Sequence, residues 1–186
     1  ATADTAIGTL AARTHTPLVA PLALGRLGPV VERAGRPDPA DRYPDAATLR
    51  AALADGTIDA VATDHAPHSL VEKEVEFEQA AFGMIGLETA VPLVLELVRA
   101  GQMSAAAFVT RLSAAPAALF GLPGGTLADG APADVTVIDP EAAWTVEPAQ
   151  LRSRSRNTPF AGRALRGRAV MTIVGGAIVY PGEPSA

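Results

Sequence analysis

From residue 45 onward the apolar positions fall into runs whose spacing predicts helices and extended segments in turn. Asp45 stands where an N-cap belongs, ahead of the run Ala46 to Ala54 in which Leu49 and Leu53 share one face at i, i+4, and Gly56 follows as a stop. Ile58 to Thr63 reads as a short strand of small side chains that ends in the polar cluster Asp64, His65, Pro67 and His68. A helix, a tight turn and a strand form the unit of a parallel sheet. Ser69 to Gln79 is dense in charge, with Glu72, Lys73, Glu74, Glu76 and Glu78, and reads as a surface or mobile segment reaching Gly83. Three helices are predicted next: Leu87 to Arg99 with Pro92 early in it, Ser104 to Leu112 capped by Ser104, and a third after a Ser113 cap, with Pro116 in its first turn and Gly121 as its stop.

From Pro123 the pattern changes, because Gly124, Gly125, Gly130, Pro132, Pro140 and Pro148 punctuate short β-branched runs. Asp134 to Asp139 is one predicted strand, and Ala169 to Val174 pairs with Ala177 to Tyr180 across Gly175-Gly176, a two-residue link that tolerates positive φ at both positions. A boundary near residue 122 therefore separates a helical α/β portion, 1–122, from a small β portion, 123–186. The first 45 residues resist reading: Pro17, Pro21, Pro29, Pro37, Pro39 and Pro44 cut every apolar run short, leaving a short helix over Leu22 to Ala34 and a loop over Gly35 to Pro44 as the expectation.

Composition narrows the function classes. With 48% apolar and 19% charged residues the chain can bury a core, and with 4% aromatics it lacks the stacking platform of a single-strand nucleic-acid binder. A formal net charge of -5 also argues against a polyphosphate partner. The absence of cysteine excludes disulfides, cysteine zinc sites and thiol nucleophiles. Apolar runs such as Ala90 to Leu95 are far shorter than the ~20 residues that span a bilayer, and no basic segment precedes an apolar one at the start, so a soluble cytoplasmic protein is expected.

The stretch Thr63-Asp64-His65-Ala66-Pro67-His68 carries the chemistry. In β/α barrels the loops at strand C-termini assemble the active site, so an acid leaving such a strand can bind a metal or move a proton. Two histidines and a carboxylate within five residues also have the donor types of a partial zinc site. Against this, an Asp before a Pro-containing turn is commonly an Asx-type cap, and a turn His commonly bonds nearby backbone. Spacing alone leaves the two readings level.

Four strings, DGTIDAVATDHAPHS, FGMIGLETAVPL, GTLADGAPADVTVID and SRNTPFAGRALRGRAVMTIVGGAIV, together resemble the C-terminal part of dihydroorotases of the amidohydrolase superfamily, from Leu49 to Tyr180. TDHAPH and NTPF are the most specific of these motifs. The resemblance implies the C-terminal portion of a metal-dependent β/α (TIM) barrel plus a small β-sandwich. It also implies a zinc enzyme that interconverts N-carbamoyl-L-aspartate and dihydroorotate in pyrimidine synthesis. By the same resemblance Asp64 is a metal ligand and the catalytic proton shuttle, and His68 contacts the substrate carboxylate. Backbone groups of Ala80-Ala81-Phe82-Gly83 hold the ring amides, which nominates Ala81 and Gly83, although Ala81 stands where the family usually has proline. His65 is left a structural role.

Much of the family's metal site has no counterpart in this sequence. Its HxH pair, carboxylated lysine and two further histidines are not matched by His15, His65, His68 and the single lysine, Lys73. A closed β/α barrel takes ~250 residues, more than this chain has. The expectation is an incomplete C-terminal part, silent by itself. Alternatives are a non-catalytic homologue serving as scaffold or partner of aspartate carbamoyltransferase, or another cyclic amidohydrolase such as a hydantoinase or allantoinase. Arg152, Arg154 and Arg156 alternate with serines and fit a phosphate or, more commonly, a solvated face.

Overall fold

The computed structural model describes residues 45–181. They divide into two compact units, one of residues 45–61 with 101–126 and one of residues 62–100 with 127–181. The readings for His15, Leu22 to Ala34 and Gly35 to Pro44 lie outside the described residues.

In the first unit, helix α1 (Ala46–Asp55) begins as its sequence dictates: the Asp45 carboxylate accepts the Thr48 N–H at 2.7 Å, and Gly56 closes the helix in the left-handed region at φ 95°. Ile58 and Asp59, just after it, are buried. The expected parallel strand over Ile58 to Thr63 does not form. The segment lies outside any sheet ladder, and its Val61 N–H donates to the Arg111 carbonyl at 3.1 Å. A parallel strand needs neighbours, and none lies beside this one among the described residues.

The two helices expected on either side of Ser113 form one continuous helical rod. Helix α4 (Ala105–Val109), capped by Ser104, passes into a π turn (Thr110–Ala114) and then into α5 (Ala115–Phe120), which Gly121 ends at φ 62°. Ser113 caps nothing; its place lies within the π turn. Pro116 is the physical reason, since it offers no N–H and its ring crowds the carbonyl four residues back, so the preceding turn widens instead of breaking.

In the second unit, α2 (Leu70–Lys73) is a single turn and α3 (Leu87–Arg99) buries Thr89, Pro92, Val94 and Leu95. Helix α3 lies against β2 of a three-stranded antiparallel sheet, β1 (Val135–Thr145), β2 (Ala164–Val174) and β3 (Ala177–Pro181), ordered as in the chain. Ile85, Val146, Leu151 and Leu165 form its core, with Leu93, Trp144 and Phe160 packed against them. Strand β1 continues past Pro140, where the sequence had it stop. Register slips between Asp139 and Ala143, and the Asp139 carboxylate accepts the N–H groups of Glu141 and Ala142 at 2.8 and 3.2 Å, so the strand absorbs the proline as a bulge. The Gly175-Gly176 link forms as expected, with φ 55° and 82°.

Arg99 at the end of α3 donates to the carbonyls of Pro140 and Arg166, and Arg163 forks onto Glu96 at 3.0 and 2.9 Å. Close approach at this seam also needs Gly167, at φ 101°, where a Cβ would run into the side chain of Leu95. Gly162, at φ 76°, has open space around it. We therefore expect Gly162→Ala to cost about 1 kcal/mol from left-handed backbone strain alone, and Gly167→Ala about 2–4 kcal/mol because overpacking adds to it. Urea midpoints of the two variants check the order.

Candidate functional site

Asp64 sits just beyond the extended segment in the left-handed region at φ 45°, a conformation that costs about 1–2 kcal/mol in an L residue and that Asp tolerates better than most. Its side chain is exposed and meets no partner among the described residues. The chain turns sharply there, and the next residues close onto a second loop. His65 forms a single parallel bridge with Met84, in which Ala66 N–H donates to the Met84 carbonyl at 2.9 Å. The TDHAPH turn and the loop before α3 therefore lie side by side.

His65 has the structural role that the resemblance left to it. Its Nδ1 accepts the N–H groups of Gly86 and Leu87 at 3.1 and 3.3 Å, satisfying two of the donors that open α3. A nitrogen that accepts carries no proton, so the ring proton of neutral His65 sits on Nε2. Gly86 itself offers no side-chain cap, and a Cβ there would stand 2.8 Å from the Thr63 carbonyl. The imidazole reaches over to do what the cap residue cannot.

His68 and Gly83 come together. His68 is half-buried, and its Nε2 lies 3.6 Å from the place a Cβ on Gly83 would occupy. Gly83 has φ 110°, and the same Cβ would lie 2.5 Å from the Ala66 Cβ. The space freed by this glycine is thus taken by the Ala66 turn. Ala81, the other nominated residue of that loop, has both backbone groups engaged: its N–H donates to the Glu72 carbonyl at 3.0 Å and its carbonyl accepts the Lys73 ammonium at 2.7 Å.

Three side chains that the sequence left without a role hold this arrangement. Asn157, first residue of the NTPF motif, donates to the carbonyls of Ala66 at 2.8 Å and Gly83 at 3.3 Å, and accepts the His68 N–H at 3.4 Å. Its own carbonyl takes the Ile85 N–H at 3.1 Å. Lys73 adds a second donor to the Gly83 carbonyl at 3.2 Å. Glu72 makes a capping box with Ser69, so part of the segment expected to be loop is the short helix α2; its carboxylate also stands 3.9 Å from His68 Nδ1. The available signal was the pairing of Ser69 with Glu72 three residues on, a capping-box spacing.

Among the described residues no three His, Asp or Glu side chains stand close enough together to hold a metal ion. The donor set for zinc is not assembled from them. Of the alternating arginines, Arg152 lies over the Tyr180 ring at 4.5 Å and Arg156 donates to the Leu151 carbonyl at 3.1 Å, so both are engaged within the fold. No helix among the described residues is long and apolar enough to cross a membrane.

The Ser69 hydroxyl, and then its backbone N–H, hold the Glu72 carboxyl below the usual glutamate range. A depressed carboxyl stabilises the folded turn above the ordinary glutamate range and loses that contribution as pH falls through its own lowered value. We expect the Glu72 side chain to titrate below an unstructured glutamate by carboxyl NMR, and Ser69→Ala to return it toward the ordinary value.

Known proteins place this arrangement in context. The pattern of the amidohydrolase family matches residues 41–179. A dihydroorotase from Anaeromyxobacter dehalogenans (strain 2CP-1) is 59% identical over 136 residues, which cover 73% of this chain and 31% of that protein. A dihydroorotase from Pelobacter propionicus is 54% identical over 136 residues, with 73% and 32% covered. Among solved structures, the L-hydantoinase (dihydropyrimidinase) of Arthrobacter aurescens superposes with a TM-score of 0.70 at 32% identity, over 88% of this chain and 37% of that one. A D-hydantoinase (dihydropyrimidinase) from Thermus sp. gives 0.68 at 30% identity, over 75% and 32%. The chain spans less than a third of the length of these curated relatives.

Proposed function

Because the chain belongs to the amidohydrolase family, we propose that it is the C-terminal part of a dihydroorotase, interconverting N-carbamoyl-L-aspartate and dihydroorotate in the cytoplasm. This reading assigns residues 1–122 to a β/α barrel portion and residues 123–186 to a small β-sandwich portion. What supports the reading is the joining of two loops: the His65–Met84 bridge and the Asn157 amide bring His68 and Gly83 to one place, next to an exposed Asp64.

In this reading dihydroorotate opens when the oxygen of a water bonds to the ring carbonyl carbon and the carbon–nitrogen bond breaks. Asp64 takes the proton released by the attacking water and delivers it to the departing ring nitrogen; cyclisation runs the same steps backwards. His68 donates an N–H to the substrate carboxylate, a charge-assisted bond that a neutral cyclic amide cannot make. Backbone of the loop containing Ala81 and Gly83 binds the ring amides. Amidohydrolases are metal-dependent as a family, and zinc, when bound, supplies a Lewis acid and an activated water. Asp64 would be one of its ligands; the described residues alone do not supply a full set.

A hydantoinase reading is the competitor favoured by the solved neighbours, and His68 separates the two, because hydantoin and dihydrouracil carry no carboxylate for it. The scaffold reading, a partner of aspartate carbamoyltransferase, requires the complete protein to be inactive. We expect the complete enzyme to turn over dihydroorotate in preference to hydantoin, Asp64→Asn to lower kcat by ~10³-fold, and His68→Ala to raise KM by ~10-fold or more. The 186-residue chain by itself should carry no stoichiometric zinc by elemental analysis and show no turnover. Zinc binding and activity by the isolated chain would overturn the fragment reading, and equal use of hydantoin would overturn the substrate assignment.

A further inference from the structure

In the loop before α3 some backbone groups are bonded within the fold, while others, the N–H groups of Phe82 and Gly83 among them, have no partner among the described residues. The carbonyls of Ala81 and Gly83 accept the Lys73 ammonium at 2.7 and 3.2 Å, the Gly83 carbonyl also accepts Asn157 Nδ2 at 3.3 Å, and the Ala81 N–H is spent on the Glu72 carbonyl. The Phe82 N–H has no partner among the described residues, and the Phe82 side chain beside it is exposed. In a trans peptide the N–H points opposite to the carbonyl of the same unit, and the described chain has no cis peptide. Fixing the Ala81 carbonyl on Lys73 therefore aims the Phe82 N–H away from Lys73.

We propose that Lys73 is a positioning residue of the substrate site: its ammonium pins the Ala81 and Gly83 carbonyls, and so presents the Phe82 N–H as a fixed donor to a carbonyl oxygen of a cyclic amide. This rests on the reading of the site given above and adds a residue to it. Lysine suits the task physically. It is the single lysine of the chain, it carries only donors, and its charge strengthens bonds to carbonyls that a neutral side chain would hold weakly. Its place on α2 is fixed in turn by the Ser69–Glu72 capping box, so a loop rich in glutamate is anchored from one capped turn. Without the clamp the loop samples several orientations, and the bound ring must select one of them, which weakens binding and leaves the bond-breaking step alone.

The experiment compares Lys73→Met, which keeps length and removes the donors, with Lys73→Arg, which keeps the charge and the donors, in the complete enzyme. Hydrogen exchange reads the clamp without substrate: Lys73→Met should speed exchange of the Ala81 amide by roughly tenfold, leave α3 at the wild-type rate, and be reversed by Lys73→Arg. Kinetics reads its purpose: KM for dihydroorotate should rise roughly tenfold in Lys73→Met with kcat within about twofold, and fall back in Lys73→Arg. Unchanged Ala81 exchange, unchanged KM, or a loss confined to kcat would each overturn the proposal. If the wild-type enzyme does not act on dihydroorotate, the functional reading fails, while the exchange measurement still decides whether Lys73 holds the loop.

Discussion

The second unit depends on the carboxamide of Asn157. One planar group with two donors and one acceptor is bonded to Ala66, Gly83 and the His68 N–H, positions separated from it by 91, 74 and 89 residues in the chain. Neither the TDHAPH turn nor the loop before α3 has a ladder of its own to fix it; a single bridge joins them. The amide supplies what a sheet would otherwise supply. Phe160, three residues on, packs against the core formed by Ile85, Val146, Leu151 and Leu165, so the same short motif ties polar backbone on one side and apolar side chains on the other.

His65 extends that logic to helix α3. A helix leaves its first N–H groups unsatisfied, and the usual remedy is a side chain on the cap residue itself. Here glycine occupies the cap because the Thr63 carbonyl stands too close for a Cβ, and an imidazole from the neighbouring turn accepts instead. The start of α3 is thus set by the residue adjacent to Asp64. At its other side α3 is held through Glu88, whose carboxylate accepts the N–H groups of Arg152 and Ser153 at 3.0 and 3.1 Å.

What could be read from the sequence was what local rules decide. The Asp45 cap, the Gly56 and Gly121 stops, the limits of α3 and the Gly175-Gly176 turn depend on residues within a few positions of one another, and they appear where the pattern put them. Ile58 to Thr63 was misread because a strand is a relation between segments, and its composition said nothing of the missing neighbours. The rod through Ser113 was misread because a serine before a proline looks like a cap, whereas continuing the helix cost only a widened turn. At the site, Asp64, His68 and Gly83 were nominated by the resemblance to dihydroorotases, whereas Lys73, Glu72 and Asn157 act on backbone carbonyls and amides far from where their own motifs point. Interactions with main-chain atoms leave little trace in residue type.

The π turn between α4 and α5 sets a phase. Phe108 and Ala117 are both buried, yet nine residues of regular α-helix would turn them about 180° apart. A π turn takes up one extra residue, which leaves the two side chains about 80° apart on one side of the rod. The widened turn therefore works as a one-residue insertion that the fold uses: shortening Thr110–Ala114 by a single residue would make a tidier helix only by letting Pro116 crowd a carbonyl. Lengthening it by one would carry Ala117 round from Gly125, whose missing Cβ lets it lie against Ala117 and Ala114. Length variation between close relatives of this chain should avoid that turn and accumulate in the connection after Gly121.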